Sequence, residues 1–322
     1  MIKVRKDNRK RRGLALLAAG IILFGLAGTS WHDLLAPAEQ KPLIEADAAI
    51  LLDAETGHIL YEKNADQALP PASMSKMMTE LLVLDQVNEG RLKWSDTVMT
   101  SPYAAEAPGA QIGFGPGESW TVRELFEATT IHSANDAAVA LAEHIAGSER
   151  EFAKLMNKRA KEIGLSEEAR FGNSTGLNKS DLAAFAGAAA DADTIMTADD
   201  TAKLARYLIR KYPEVLDVSA RGSVKLTTLD TKLQSTNMML PSKPFAFPGN
   251  DGLKTGYTER AGYCFTGTAK QGNKRLIAVV MGTSTADARF VETEKLFHYG
   301  FQNNGLDKWK AEIAAKIGLL FA

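Results

Sequence analysis

The chain has 322 residues, 45% of them hydrophobic and 24% charged, a balance that excludes disorder as its main state and is ample for one large domain or two smaller ones. The formal net charge is only −1, yet seven of the first twelve residues are basic against one acid, so that stretch carries +6 and the rest −7. Basic residues confined to a tail, ahead of an acidic body, exclude a nucleic-acid-binding surface on the folded part.

The basic tail runs into an apolar stretch, Gly13 to Gly28, which is short for a bilayer-spanning helix of about 20 residues. This layout predicts a secretory signal or an uncleaved signal-anchor over 1–28, and no A-x-A-like cleavage site decides between them. Either way the remainder is expected to be exported, to work at the extracytoplasmic face of the membrane or in the cell wall. An uncleaved segment would also hold the protein at the membrane. Residues 29–44, with Pro37 and Pro42, read as a linker, and the folded domain is expected over 45–301. Ala48–Asp53 and His58–Tyr61, separated by Glu55-Thr56-Gly57, form a predicted hairpin. Pro70-Pro71 stops the strand, and Met77, Met78, Leu81, Leu82, Leu84 and Val87 give Ser73 to Val87 a helical pattern. Apolar spacing of three and four predicts further helices over Val122–Thr130, Asn135–Ile145, Glu149–Ile163 and Ala198–Lys211. The alanine-rich segment 183–193 reads as a weak helix or a loop. Two strand-like runs, Gly262–Lys270 and Lys274–Thr283, meet at Gln271-Gly272-Asn273, and a last helix is expected over Ala286–Tyr299. Strands at both ends with helices between them predict an α/β fold: an antiparallel sheet carrying a helical insertion. In the tail 302–322, Leu306, Trp309, Ile313, Ile317 and Leu320 share one helical face. A membrane-lying helix, a helix packed on its own domain and the start of a second domain all fit that pattern.

Cys264 is the only cysteine, so an internal disulfide is impossible, and its setting between Tyr263 and Phe265 reads as a small buried hydrophobe. The five histidines never fall into H-x-H or H-E-x-x-H spacing, so no metal site is expected, and no glycine-rich phosphate loop or other cofactor motif is visible. Three short motifs carry chemistry instead. Ser73 and Lys76, three apart at a helix start, lie on one face, so the amine can reach the hydroxyl. Burial and the positive helix terminus would neutralise that amine and make it a base for serine. Ser133-Ala134-Asn135 precedes a helical run, although a second S-x-N recurs at Ser235-Thr236-Asn237. Lys254-Thr255-Gly256 follows Asp251-Gly252-Leu253; lysine and threonine at a strand edge can bind a carboxylate, and glycine permits close approach of a substrate backbone. Each motif alone is as well explained by a capped helix or a turn; their order and spacing together are not.

The three motifs resemble the signature set of penicillin-binding proteins and serine β-lactamases. The surrounding text, LPPASMSKMMT (69–79), SANDAAVALAEH (133–144) and DGLKTGYTERAGYCFTGTA (251–269), is similar to the low-molecular-mass D-alanyl-D-alanine carboxypeptidases, from about Ala48 to Phe301. The resemblance implies an antiparallel five-stranded sheet flanked by helices with a helical subdomain. It implies that Ser73 attacks the carbonyl between the last two D-alanines of a peptidoglycan stem peptide, that Lys76 takes its proton and that Ser133 relays a proton to the leaving D-alanine with help from Lys254. Asn135 would bind the acyl amide, Lys254 and Thr255 the terminal carboxylate, and the N–H groups of Ser73 and Tyr257, the residue after Gly256, the oxyanion. β-Lactam antibiotics would acylate the same serine.

Ala134 stands where the family usually has glycine, and the segment from Asn178 to Met196 is longer than the family pattern leads one to expect. A serine β-lactamase needs a glutamate to activate its deacylating water; the nearest candidate, Glu168 with Asn173, is one residue too widely spaced. A non-catalytic wall-binding protein on the same scaffold would be marked by a broken motif, and all three are intact.

Overall fold

The computed structural model describes residues 41–228 and 230–302. The predicted signal segment, most of the linker and the C-terminal tail lie outside the described residues. Pro42 to Gln302 form one compact unit. No helix among the described residues is long and apolar enough to cross a membrane.

The centre is a five-stranded antiparallel sheet of order β2-β1-β9-β8-β7. Its strands are β1 (Ala48–Asp53), β2 (Ile59–Lys63), β7 (Asn250–Thr258), β8 (Gly262–Gln271) and β9 (Lys274–Thr283). The expected architecture is therefore the observed one, with the first hairpin paired to the last strand through Ile50↔Val279 and Leu51↔Ala278. β1 is apolar at nearly every position because helices cover both faces of the sheet. Ile50, Leu52, Ile277 and Val279 belong to the core on one side. Leu51, Leu276, Ala278, Val280 and Phe265 meet Phe290, Leu296 and Phe297 on the other. The latter three residues come from the C-terminal helix (Ala288–Gln302).

Between β2 and β7 lies the helical region. Its helices are α1 (Lys76–Asn88), α2 (Pro102–Glu106), α3 (Val122–Glu127), α4 (Asn135–Ala146), α5 (Glu149–Glu162), α6 (Lys179–Leu182), α7 (Ala198–Lys211) and α8 (Val215–Ser219), which makes the C-terminal helix α9. Two small antiparallel pairs, β3 (Thr97–Met99) with β4 (Ser119–Thr121) and β5 (Ser223–Leu226) with β6 (Thr231–Gln234), brace its loops. α1 is buried on every side from Lys76 to Asp85, its polar Lys76, Thr79, Glu80 and Asp85 included.

Three local expectations shift, each for an identifiable reason, and one left open is decided. Ser73 sits in a 3₁₀ turn, Ala72–Ser75, ahead of the α-helix, because Pro71 precedes it and Ala72 has φ +47°. The expected helix over Val122–Thr130 stops at Glu127 and continues as a π-helical turn, Ala128–His132, ending at Ser133 with φ +66°. Lys254-Thr255-Gly256 lies within a strand rather than ahead of one; Gly252 and Gly256 hid β7, since glycine is depleted in strands. The alanine-rich segment 183–193 makes no helix after α6.

Leu81 is fully buried at the middle of α1. Leu81→Ala is expected to cost about 2–5 kcal/mol, because the surrounding helices cannot collapse into the cavity. Urea unfolding measures it; a loss below about 1 kcal/mol would show that α1 is not a packing centre.

Candidate active site

The site forms where four separate segments converge on the amine of Lys76. Its Nζ lies 2.8 Å from Ser73 Oγ, donates to Asn135 Oδ1 at 2.6 Å and donates to the Thr175 carbonyl at 2.9 Å. A backbone carbonyl and an amide oxygen can only accept. When the amine is neutral it has two hydrogens and one lone pair; with the hydrogens on those two acceptors, the lone pair is free to face the serine hydroxyl. The assignment of Asn135 is fixed from its other end, where Nδ2 donates to the Pro108 carbonyl at 2.5 Å. Close packing keeps this geometry: a Cβ at Gly109 would lie 2.7 Å from Asn135 Nδ2.

Thr175 reaches Lys76 because Asn173 closes a tight turn. Its Oδ1 accepts from the Thr175 N–H at 3.1 Å, the Thr175 hydroxyl at 2.8 Å and the Gly176 N–H at 2.7 Å. One turn along α1, the Thr79 hydroxyl donates to the Ser174 carbonyl at 2.8 Å, so the helix holds this segment at two points. Sequence reasoning missed Thr175. It acts through a carbonyl that every residue possesses, and only the N-S-T-G turn signature could have marked it.

Ser133 occupies the left-handed cap of the π-helical turn and is 7% exposed. A non-glycine residue there costs roughly 1–2 kcal/mol, a strain that tends to persist where function requires the geometry. Ala134 follows as the N-cap of α4, and the Asn135 N–H is fixed by the Ala110 carbonyl at 2.6 Å. Asp136 then holds the facing loop through the N–H of Gly113 at 2.9 Å.

The third motif lies on β7, at the edge of the sheet. Lys254 and Gly256 share the face turned to the Ser73 turn, as alternation in a strand requires. A Cβ on Gly256 would stand 2.6 Å from the Pro71 carbonyl, so this glycine is demanded by the protein's own backbone, whereas the sequence suggested room for substrate. The Thr255 hydroxyl donates to the Thr236 hydroxyl at 2.7 Å. The second S-x-N therefore borders the site, although only as a partner of Thr255. Tyr257 is 48% exposed and stacks on Tyr263 with ring centroids 4.3 Å apart. The long segment after Asn178 returns to the same rim, where Asp193 accepts from the Lys179 N–H and pairs with Arg260 in the turn between β7 and β8.

Three buried ionisable groups share this interior. Burial pulls Lys76 well below the usual lysine value, and Lys254 pulls it further, against the carboxylates of Glu80, Asp136 and Glu149. Burial also pulls Lys254 down to about 8, with Glu80 opposing and Arg289 adding to the fall. Glu80, which the sequence did not single out, is pushed up to about 7 by burial against Lys254, Thr130 and Lys76. Cys264 is buried as expected and its thiol is pushed up to about 11 by that burial, which keeps it unreactive at neutral pH. Glu168, the nearest candidate for a β-lactamase-type base, is exposed. Among the described residues no three His, Cys, Asp or Glu side chains gather as a metal site.

Residues 36–285 match the model of the serine peptidase family of D-alanyl-D-alanine carboxypeptidases. The chain belongs to that family. It is 39% identical to the D-alanyl-D-alanine carboxypeptidase DacF of Bacillus subtilis, over 90% of this chain and 71% of that one. It is 36% identical to DacC of Escherichia coli, over 90% of this chain and 69% of that one. Among solved structures, the ampicillin-bound penicillin-binding protein D2 of Listeria monocytogenes matches at TM-score 0.69 and 37% identity, covering 81% of this chain and all of the other. A peptidoglycan synthesis regulatory factor of Streptococcus pneumoniae matches at TM-score 0.76 and 39% identity, covering 81% of this chain and 80% of that one. The family read from the three motifs is thus the family found across the folded unit.

In this carboxypeptidase the Asn173 turn must touch the serine turn. A Cβ on Gly176, at φ +81°, would lie 2.1 Å from the Ala72 carbonyl and 2.4 Å from Ser75 Oγ. Gly176→Ala is therefore expected to destabilise the protein by about 1–3 kcal/mol, from strain and overpacking together. A thermal melt tests this, and an unchanged midpoint would contradict the close approach.

Proposed function

We propose that this chain is a serine-type D-alanyl-D-alanine carboxypeptidase that removes the terminal D-alanine from peptidoglycan stem pentapeptides through an acyl-enzyme on Ser73. The observation that carries the proposal is the bonding of Lys76. Its Nζ stands 2.8 Å from Ser73 Oγ and hydrogen-bonds to two acceptor-only oxygens, which in the free amine would take both hydrogens and leave the lone pair to the serine. That is the arrangement a general base needs to activate a weak nucleophile.

Ser73 Oγ attacks the carbonyl between the two D-alanines as Lys76 takes the hydroxyl proton. The N–H groups of Ser73 and Tyr257 receive the negative charge that develops on the carbonyl oxygen. Ser133 passes a proton to the departing amine, with Lys254 polarising its hydroxyl. Lys254 and Thr255 hold the terminal carboxylate; Thr255 has only to turn its hydroxyl from Thr236 to a charged and stronger acceptor. Asn135 keeps the second hydrogen of Nδ2 for the acyl amide, the first being given to Pro108. Water then cleaves the ester and regenerates Ser73.

β-Lactams present a strained amide and a carboxylate in a similar arrangement and acylate the same serine. The stable ester is favoured over rapid hydrolysis because Glu168 faces solvent and cannot serve a deacylating water. The substrate and the N-terminal segment together support export, with the folded domain 45–301 working outside the membrane and the uncleaved segment, where retained, holding it there.

The test is covalent labelling of the purified full chain by a fluorescent penicillin, together with release of D-alanine from diacetyl-lysyl-D-alanyl-D-alanine. The wild type is expected to take up a stable label and release D-alanine. Ser73→Ala is expected to keep its fold, take no label and lose about 10³-fold or more in release rate, as when a nucleophile is removed. Rapid loss of the label with destruction of the drug would convert the reading to a β-lactamase, and labelling of Ser73→Ala would displace Ser73 as the nucleophile.

A further inference from the structure

Two lysines and one carboxylate share the protein interior beside Ser73, and their charges cannot all be present. Lys76 is 0%, Lys254 1% and Glu80 2% exposed. Lys76 and Glu80 stand four residues apart on α1, on the same side of the helix. An unpaired buried charge is costly, so the set with the least net charge is one ammonium, one carboxylate and one free amine.

The neighbouring acids do not compete for this role. Asp136, on α4, accepts from the N–H of Gly113 at 2.9 Å and of Ala137 at 2.8 Å. Glu149, on α5, accepts from Tyr103 at 2.7 Å, the Ser174 hydroxyl at 2.6 Å and the Ala189 N–H at 2.9 Å. Both are committed to structural bonds. Glu80 is less committed: Oε1 completes no hydrogen bond of good geometry, and only the Thr130 hydroxyl beside the carboxylate favours its charged form locally. Its carboxylate is left to act mainly through its charge.

We propose that Glu80 is a positioning residue of the reaction: its carboxylate keeps Lys254 as the ammonium and leaves Lys76 as the free amine that takes the Ser73 proton. This rests on the roles proposed above for the two lysines. Glu80 is the largest influence holding Lys254 up against burial, while Arg289, on α9, acts the other way. On Lys76, burial and the Lys254 ammonium outweigh the three carboxylates. Glu80 thus balances the charge of one lysine only: Lys254 keeps its proton, and its ammonium together with burial draws the proton off Lys76.

The sign of the test follows. Glu80→Gln removes a negative charge that raises both lysines, so both values fall and Lys254 becomes neutral at lower pH. Penicillin acylation is measured on the full chain from about pH 5 to about pH 10, with kcat and KM for D-alanine release. The alkaline limb of Glu80→Gln is expected to move acid by about one pH unit or more, a loss of about tenfold at the alkaline end. The loss appears mainly in KM, because the carboxylate anchor is what disappears. Glu80→Asp keeps the charge and is expected to keep the wild-type limb. A merely structural role would lower the rate by the same factor at every pH, and that result overturns the proposal. Where Glu80→Gln does not fold, Thr130→Val serves in its place: it raises the carboxylate's own pKa and is expected to move the same limb acid by a smaller amount, and an unmoved limb counts against Glu80. Lys254→Arg, charged throughout, is expected to abolish the limb. A limb that survives it would sink the role of Lys254 itself, and labelled Ser73→Ala would sink the reaction; either failure is distinct from a failure at Glu80.

Discussion

The candidate site turns on one lysine amine held in fixed contact with a serine hydroxyl inside the protein. Lys76 has no exposure, burial draws its pKa well down, and its amine is ringed by Ser73 Oγ, Asn135 Oδ1 and the Thr175 carbonyl. In water the same side chain would be protonated and useless as a base. Burial alone is insufficient, because a buried amine that tumbled among rotamers would not face Ser73. The Asn135 amide and the Thr175 carbonyl supply direction where burial supplies neutrality.

That requirement explains why the site draws on four distant stretches of chain. The 3₁₀ turn at 72–75 presents the serine, the π-helical turn and α4 present Ser133 and Asn135, the Asn173 turn presents Thr175, and β7 presents Lys254 and Thr255. A single element cannot surround one amine. Glycines stand where the stretches nearly touch: Gly176 against the Ala72 carbonyl and Gly256 against the Pro71 carbonyl, each closer than any Cβ permits. The serine turn is therefore clamped between the sheet edge and the helical region. Both regions must be folded, and packed together, before the amine has its partners.

The parts of this arrangement that use a distinctive side chain were legible in the sequence. Ser73, Lys76 and Asn135, from two of the three motifs, meet at hydrogen-bond distance, and the antiparallel sheet followed from the change of period near residue 262. What was not legible acts through the backbone or through the absence of atoms. Thr175 contributes a carbonyl. β7 was obscured by the same glycine that lets it approach the serine turn. Glu80 looked like one polar position in MMTELLVLD, and its burial beside two lysines is a property of the tertiary fold alone. Ser235-Thr236-Asn237 looked like a chance duplicate, and only the Thr236–Thr255 hydrogen bond gives it a place.

The same three buried groups bear on stability, and the signs differ. A lysine whose pKa is lowered by folding is protonated in the unfolded chain over a range where the native state holds it neutral, so stability rises with pH across that range. Lys254, lowered to about 8 from 10.5, contributes in this direction between those values, and Lys76, also lowered, acts with the same sign. Glu80, raised to about 7 from 4.5, acts oppositely: the native state binds a proton that the unfolded chain has lost, and stability falls as pH rises between the two. Displacing such groups from the ionisation they prefer in water costs on the order of 1 kcal/mol for each tenfold change in the protonation equilibrium. The large apolar core around α1 and both faces of the sheet must carry that cost. A lysine held that far from its ordinary ionisation needs a fold with stability to spare, and Lys76 stands on a helix buried from Lys76 to Asp85.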